Sequence, residues 1–82
     1  MKLLLSRRFL NDTEGLPNDV QERVREALAK IHMNPFCGKR LRGGMSGYFS
    51  LRIGSYRIIY SLNLEEEISI KTVRPRKDVY RR

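Results

Sequence analysis

The stretch Tyr48-Phe49-Ser50-Leu51-Arg52-Ile53-Gly54-Ser55-Tyr56-Arg57-Ile58-Ile59-Tyr60 decides how the whole chain is read. Two β-rich runs flank Gly54-Ser55. A two-residue Gly-Ser connection is a strong hairpin signal, because glycine accepts the positive φ that a primed turn demands. Pairing Ile53 with Tyr56 across the turn sets the register. Phe49, Leu51 and Ile53 then share a face with Tyr60, Ile58 and Tyr56, and that face is the core side. On the opposite face Arg52 lies across from Arg57, Ser50 beside Ile59, and Tyr48 beside Ser61. Like charges directly across a ladder cost roughly a few tenths to 1 kcal/mol. Two guanidiniums kept side by side fit an anion, such as a phosphate, seated between them. Two side chains splayed into water are the alternative.

The chain has 82 residues and a formal net charge of +8 at pH 7. That length suits one domain, residues 1–82, with a single core. A field this strong on so small a domain predicts attraction to nucleic acid or another polyanion. Its distribution says more. Between Glu26 and Glu65 there is no acidic residue, while Lys30, Lys39, Arg40, Arg42, Arg52 and Arg57 fall in that span. After Glu67 come Lys71, Arg74, Arg76, Lys77, Arg81 and Arg82 against Asp78 alone. The basic stretches are therefore the hairpin with its lead-in and the C-terminal tail.

No apolar run approaches the length that crosses a bilayer. Leu3-Leu4-Leu5 is followed at once by Arg7 and Arg8, which is neither a signal peptide nor an anchor. A cytoplasmic protein with no membrane partner is expected. The single cysteine, Cys37, has no internal disulfide partner, in keeping with a reducing compartment. It reads as a small, partly buried thiol rather than a nucleophile.

Along the chain, Lys2 to Leu5 reads as a short strand. Ser6 is a candidate N-cap for a short helix that carries Phe9 and Leu10 inward and ends near Gly15-Leu16-Pro17. A second helix begins with Asn18 as N-cap and Gln21 three residues on, a variant of the capping box. Val20, Val24, Ala27, Leu28 and Ile31 recur at the spacing of one buried stripe. Asp19 with Arg23 and Glu26 with Lys30 form supportive pairs four residues apart. Asn34-Pro35 stops the helix, since the residue before proline is pushed out of the α region.

Residues 36–47 read as a connection rich in glycine and basic residues. Gly43-Gly44 lacks the strand-loop-helix context and the following Lys-Ser/Thr of a P-loop, which is excluded. The choice there is between Lys39, Arg40 and Arg42 placed flexibly on a nucleic-acid backbone and a merely solvated loop. Asn63 to Glu67 makes a polar turn. Residues 68–73 alternate as a last strand with Ile68 and Ile70 on the core side, which puts Lys71 on the arginine side. Pro75 keeps that strand from continuing inside a sheet. The order β-α-α-β-β-β gives an α+β domain: two N-terminal antiparallel helices packed on one face of a mainly antiparallel four-stranded sheet. The Arg52 and Arg57 face is expected to stay open.

This order resembles the RelE/ParE superfamily of toxins from type II toxin–antitoxin pairs. The matching pieces are the helix ending in Asn34-Pro35, Lys39-Arg40-Leu41-Arg42-Gly43, the Leu51-Arg52-Ile53-Gly54-Ser55-Tyr56-Arg57-Ile58-Ile59-Tyr60 block, and Arg76-Lys77-Asp78-Val79-Tyr80-Arg81. In the RelE branch the resemblance implies a toxin that cleaves messenger RNA in the ribosomal A site. In the ParE branch it implies a poison of DNA gyrase that is not a nuclease. Either is neutralised by a cognate antitoxin that wraps it.

RNA cleavage by the ribose 2′-OH needs a group that takes its proton, cations for the phosphorane charge, and protonation of the leaving 5′-oxygen. His32 belongs to a helix end and reads as structural. No paired carboxylates stand near the basic face, and no His/Cys/Asp set has metal spacing, so neither a metal nor a cofactor is expected. What remains is arginines and tyrosines. Arg52, Arg57, Arg74 and Arg76 can bind the scissile phosphate. By resemblance Arg52 matches a strand-two basic residue, Arg57 the phosphate-stabilising arginine of the next strand, Arg74 or Arg76 the second stabilising arginine near the C-terminus, and Tyr80 the terminal catalytic tyrosine. Tyr80 is a base only if surrounding cations lower its pKa; a tail aromatic packed on the sheet is the alternative. Lys39, Arg40, Arg42, Lys71, Lys77 and Arg81 are the expected further contacts to RNA, with a ribosome and its message as partner. Ser50 stands where the RelE pattern often carries a lysine, and Pro75 replaces a histidine sometimes found before the terminal arginine. A plain RNA-binding module is a third reading, disfavoured because no pair of stacking aromatics has the needed spacing.

Overall fold

The computed structural model describes residues 2–75. The elements are β1 (Lys2–Leu5), α1 (Arg7–Glu14), α2 (Asn18–Met33), β2 (Lys39–Arg40), a 3-10 turn (Gly43–Met45), β3 (Tyr48–Ile53), β4 (Tyr56–Leu62) and β5 (Glu67–Pro75). They form one five-stranded sheet in the order β1-β5-β4-β3-β2. β1 runs parallel to β5, and the other pairs are antiparallel.

The hairpin register is the one expected, with Ile53 paired to Tyr56 and Arg52 to Arg57. Gly54 has φ +63° while Ser55 is not in the left-handed region. That is the signature of a type II′ turn, whose twist matches that of the strands it joins. The core lies where the alternation put it. Phe49, Ile58 and Tyr60 pack with Phe9, Val24, Ala27 and Ile31 from the helices, and Leu51, Ile53 and Tyr56 border the cluster.

Four expectations give way. The sheet has a fifth strand, β2, inside what reads as a loop: Lys39 pairs with Ser50 and Arg40 with Phe49, and Leu41 N–H donates to the Tyr48 carbonyl at 3.0 Å. A two-residue strand carries too little periodicity to be read from sequence. Asn18 does not cap α2; the cap position is Pro17, with no side-chain bond. Gln21 turns back instead, and its Nε2 donates to the carbonyls of Thr13 (2.9 Å) and Leu16 (3.1 Å), stitching α2 to the end of α1. Leu10 does not follow Phe9 inward and is 51% exposed. Neither Asp19–Arg23 nor Glu26–Lys30 closes as an ion pair among the described residues; exposed pairs of this kind are worth too little to order two long side chains.

Other elements form as read. Ser6 caps α1, its Oγ accepting from Phe9 N–H at 3.0 Å, and the hydroxyl also donates to the Lys71 carbonyl at 2.8 Å. Asn34 is extended ahead of Pro35, and Asn63 Oδ1 accepts from Glu65 and Glu67 N–H to build the polar turn. β5, by contrast, runs two residues past the expected 68–73: Arg74 and Pro75 belong to the strand and not to the tail, and Pro75 pairs with Tyr56. Proline is tolerated there because β1 covers β5 only from Glu67 to Ile70, leaving the outer edge at Pro75 without a ladder to donate to.

The decisive irregularity lies in β5. Tyr60 pairs with Ile70 but Ile59 pairs with Thr72, so Lys71 is an extra residue in a β-bulge. Strict alternation from Ile68 and Ile70 would send Val73 away from the core and Arg74 into it. With the bulge, Val73 is buried in the cluster. The apolar spacing Ile68, Ile70, Val73 cannot be satisfied on one face without it.

Candidate nucleic-acid interface

Because directly paired residues point to the same face, the bulge has a second effect. Arg74 pairs with Arg57, and Arg57 pairs with Arg52. Three arginines from β3, β4 and β5 thus stand in a row across the sheet, on the side away from the helices. Neighbouring strands are about 4.8 Å apart, so the three side chains leave the sheet side by side at about that spacing. Bulges re-aim side chains near functional sites, and this one aims Arg74.

The face is less open than expected. Arg52 is exposed and Arg74 half-buried, but Arg57 is only 6% exposed, and Ser50 and Ile59 beside it are at 2% and 3%. Strand β4 is central in the sheet and flanked on both sides, and the Arg57 side chain reaches across to β3. Its Nη1 donates to Ser50 Oγ at 2.9 Å. A hydrogen bond to a charged group is worth about 1.5–3 kcal/mol, which offsets part of the repulsion along the row. The serine in place of a family lysine therefore has a job of its own: it orients Arg57. Register alone could have found it, since Ser50 is the diagonal neighbour of Arg57 on the same face.

The other expected RNA contacts scatter. Lys39 and Arg40 belong to β2 rather than to a flexible loop, and they point to opposite sides. Arg40 lies over the Phe49 ring, 5.4 Å from its centre, on the helix side of the sheet. Lys39, paired with Ser50, is on the arginine side. Arg42 is exposed ahead of the 3-10 turn, away from any strand. Lys71 is exposed at the bulge, where alternation from Ile70 no longer assigns it a face. Arg76, Lys77, Tyr80 and Arg81 lie outside the described residues.

Tyr60 explains why β2 holds its place. Its hydroxyl donates to the Pro35 carbonyl at 2.8 Å and accepts from Gly38 N–H at 3.0 Å. Burial pushes the Tyr60 phenol up to about 12; the Gly38 N–H pulls the other way, and neighbouring Cys37 adds to the rise. This tyrosine is a structural clamp and is unsuited to act as a base. Gly38 is required by that contact: a Cβ there would stand 2.5 Å from the hydroxyl and 3.1 Å from the Ser50 carbonyl. Among the described residues no helix is long and apolar enough to cross a membrane.

Two helices against this mostly antiparallel sheet are the architecture of RelE-like toxins, and solved structures bear that out. The toxin–antitoxin complex RelBE2 from Mycobacterium tuberculosis contains a chain that is 29% identical, with a TM-score of 0.82, covering 92% of this chain and 96% of that one. The archaeal RelE–RelB complex from Pyrococcus horikoshii OT3 matches at 24% identity and TM-score 0.78, over 92% of this chain and 93% of that one. The isolated Escherichia coli RelE toxin matches at 22% and 0.78, over 90% and 82%; at such identities the likeness is one of fold. No curated protein matches the chain. Residues 3–80 match the model of the ParE toxin of type II toxin–antitoxin systems, and the chain belongs to that family, within the RelE/ParE superfamily.

Proposed function

We propose that this toxin is a ribosome-dependent, metal-independent endoribonuclease that cuts messenger RNA in the A site. The observation that carries the reading is the row Arg52, Arg57, Arg74 on the face opposite α1 and α2, with Arg57 pre-oriented by Ser50. In the reaction the ribose 2′-oxygen forms a bond to phosphorus, the bond from phosphorus to the 5′-oxygen breaks, and the proton lost from the 2′-OH is balanced by one delivered to the leaving oxygen. The arginines stabilise the extra negative charge on the phosphorane. By the resemblance Arg76 is counted in the same set, and Tyr80 is the group that takes the 2′-OH proton. Arg57 must be uncovered before a phosphate can reach it, so the exposed Arg52 meets the RNA first. A site without a strong base suits an enzyme whose substrate is positioned by the ribosome.

The partner that silences it is a cognate antitoxin, as in the Mycobacterium tuberculosis complex. Such a partner covers the basic face with an acidic or apolar segment. Co-expression with the neighbouring reading frame should yield a complex with a small acidic protein; recovery of the toxin alone counts against that assignment.

The test of the nuclease is translation in a reconstituted extract, with primer extension to map cuts on ribosome-bound message. Cuts at A-site codons that are lost in Arg52→Ala and Tyr80→Phe would establish the activity. Uncut message with translation intact would sink it. The second reading is a gyrase poison on the same scaffold, which the match to the ParE toxin model leaves open. A gyrase cleavage-complex assay separates the two.

A further inference from the structure

The arginine row is incomplete at one corner. Ser50 commits its hydroxyl to Arg57, and Ile59 beside it carries no charge, so the strip next to the row has no cation from β3 or β4. Strand β2 supplies one. Lys39 pairs directly with Ser50, which continues the strip Ile59–Ser50 outward to the sheet edge. Two independent contacts fix the side on which it projects. Arg57 bonds to Ser50, which puts Ser50 on the arginine face. Arg40, the next residue along β2, stacks over Phe49 on the other face, so Lys39 must point the opposite way. Its side chain is exposed, and β2 is held by the Tyr60 clamp on Gly38 immediately before it.

We infer that Lys39 is a phosphate-binding residue of this face, contacting the RNA backbone beside the phosphate held by the arginine row. The inference rests on the reading of the face as an RNA site. Two strand spacings and two residues of rise place the Lys39 and Arg57 Cα atoms roughly 12 Å apart, so the lysine meets the backbone next to the phosphate of the arginine row rather than at it. Lys39 stays exposed while Arg57 is enclosed, so it is also among the first groups that an incoming strand meets. The sequence treats Lys39, Arg40 and Arg42 as one basic loop; the register singles out the lysine.

The test pairs two readouts on wild type, Lys39→Met, Lys39→Arg and Arg25→Met. The last removes the same charge from the exposed side of α2 and controls for net field. The first readout is binding of a 2′-O-methyl single-stranded oligonucleotide, which cannot be cut, followed by fluorescence anisotropy over a salt series. Lys39→Met should weaken binding about threefold to tenfold and lower the slope of log K against log salt by about 0.7, the loss of one phosphate contact. Lys39→Arg should restore both, and Arg25→Met should change neither slope nor affinity beyond the small loss of field. The second is A-site cleavage on ribosomes, where Lys39→Met should lose about tenfold in kcat/KM and Lys39→Arg should recover it. An unchanged salt slope in Lys39→Met, or a wild type that does not bind the oligonucleotide at all, overturns the proposal. Absence of cuts by a wild type that does bind would sink the nuclease while leaving the Lys39 contact standing.

Discussion

The two pairings made by β4 behave differently. On one side β3 and β4 run in unbroken register from the Gly54-Ser55 turn to Tyr48 and Ser61. On the other, β4 and β5 slip by one residue at Lys71. A hairpin closed by two residues has its register dictated by the turn, whereas β5 arrives through a longer polar turn and is free to choose. It chooses the register that buries Val73, and Arg74 comes into line with Arg57 as a result. Packing on one face thus organises charge on the other.

Deleting one residue from each strand breaks this comparison most sharply. Removal of Ser50 shifts Phe49 off the core face and away from the Tyr60 ring, and takes the hydroxyl partner from Arg57, so the variant should not fold by circular dichroism. Removal of Lys71 should be tolerated at a cost of about 1–2 kcal/mol in urea unfolding, because the remaining residues alternate correctly without a bulge. Equal damage from the two deletions would show that the slip is imposed by something other than the apolar spacing.

Tyr60 sits where the slip begins, and Tyr60→Phe should cost about 1–3 kcal/mol by orphaning the Pro35 carbonyl and Gly38 N–H. Its pH dependence has a definite sign. A phenol raised to about 12 when folded stabilises the protein fully below its ordinary value near 10, and that contribution fades as pH rises toward 12. The stability gap between wild type and Tyr60→Phe should therefore be flat from pH 7 to 9 and narrow above 10. Gly38→Ala strikes the same clamp from the other side and should cost about 1–3 kcal/mol, since the new Cβ must displace the hydroxyl. Smallest of all, Arg8→Ala should change stability by less than about 0.5 kcal/mol, because its 3.9 Å pair with Asp12 is exposed.

The hairpin, the helix stripe and the layer order were legible because each repeats a period over several residues. β2 was not, having two residues and no period. Nor was the bulge, although its cause was in view: Ile70 and Val73 are three apart, which no regular strand places on one face. From that spacing alone Arg74 could have been aligned with Arg57 on grounds of geometry. The enclosure of Arg57 was beyond reach, because it depends on where a long side chain goes, here across to Ser50 on the neighbouring strand, rather than on the residue pattern. The opposite destinations of Lys39 and Arg40 followed only once β2 had a register.

The parallel pairing of β1 with β5 joins Lys2 to Glu67 and Leu5 to Ile70, across almost the whole length of the chain. Contacts so distant in sequence form late, because closing the intervening loop is entropically costly until other structure shortens it. During synthesis the first strand must wait, unpaired, for the last. The arginine row has the same dependence, since Arg74 joins it only when β5 docks. A ribosome making this protein thus releases both helices and the hairpin before the basic face exists, and a product terminated ahead of β5 would carry the hairpin without the row.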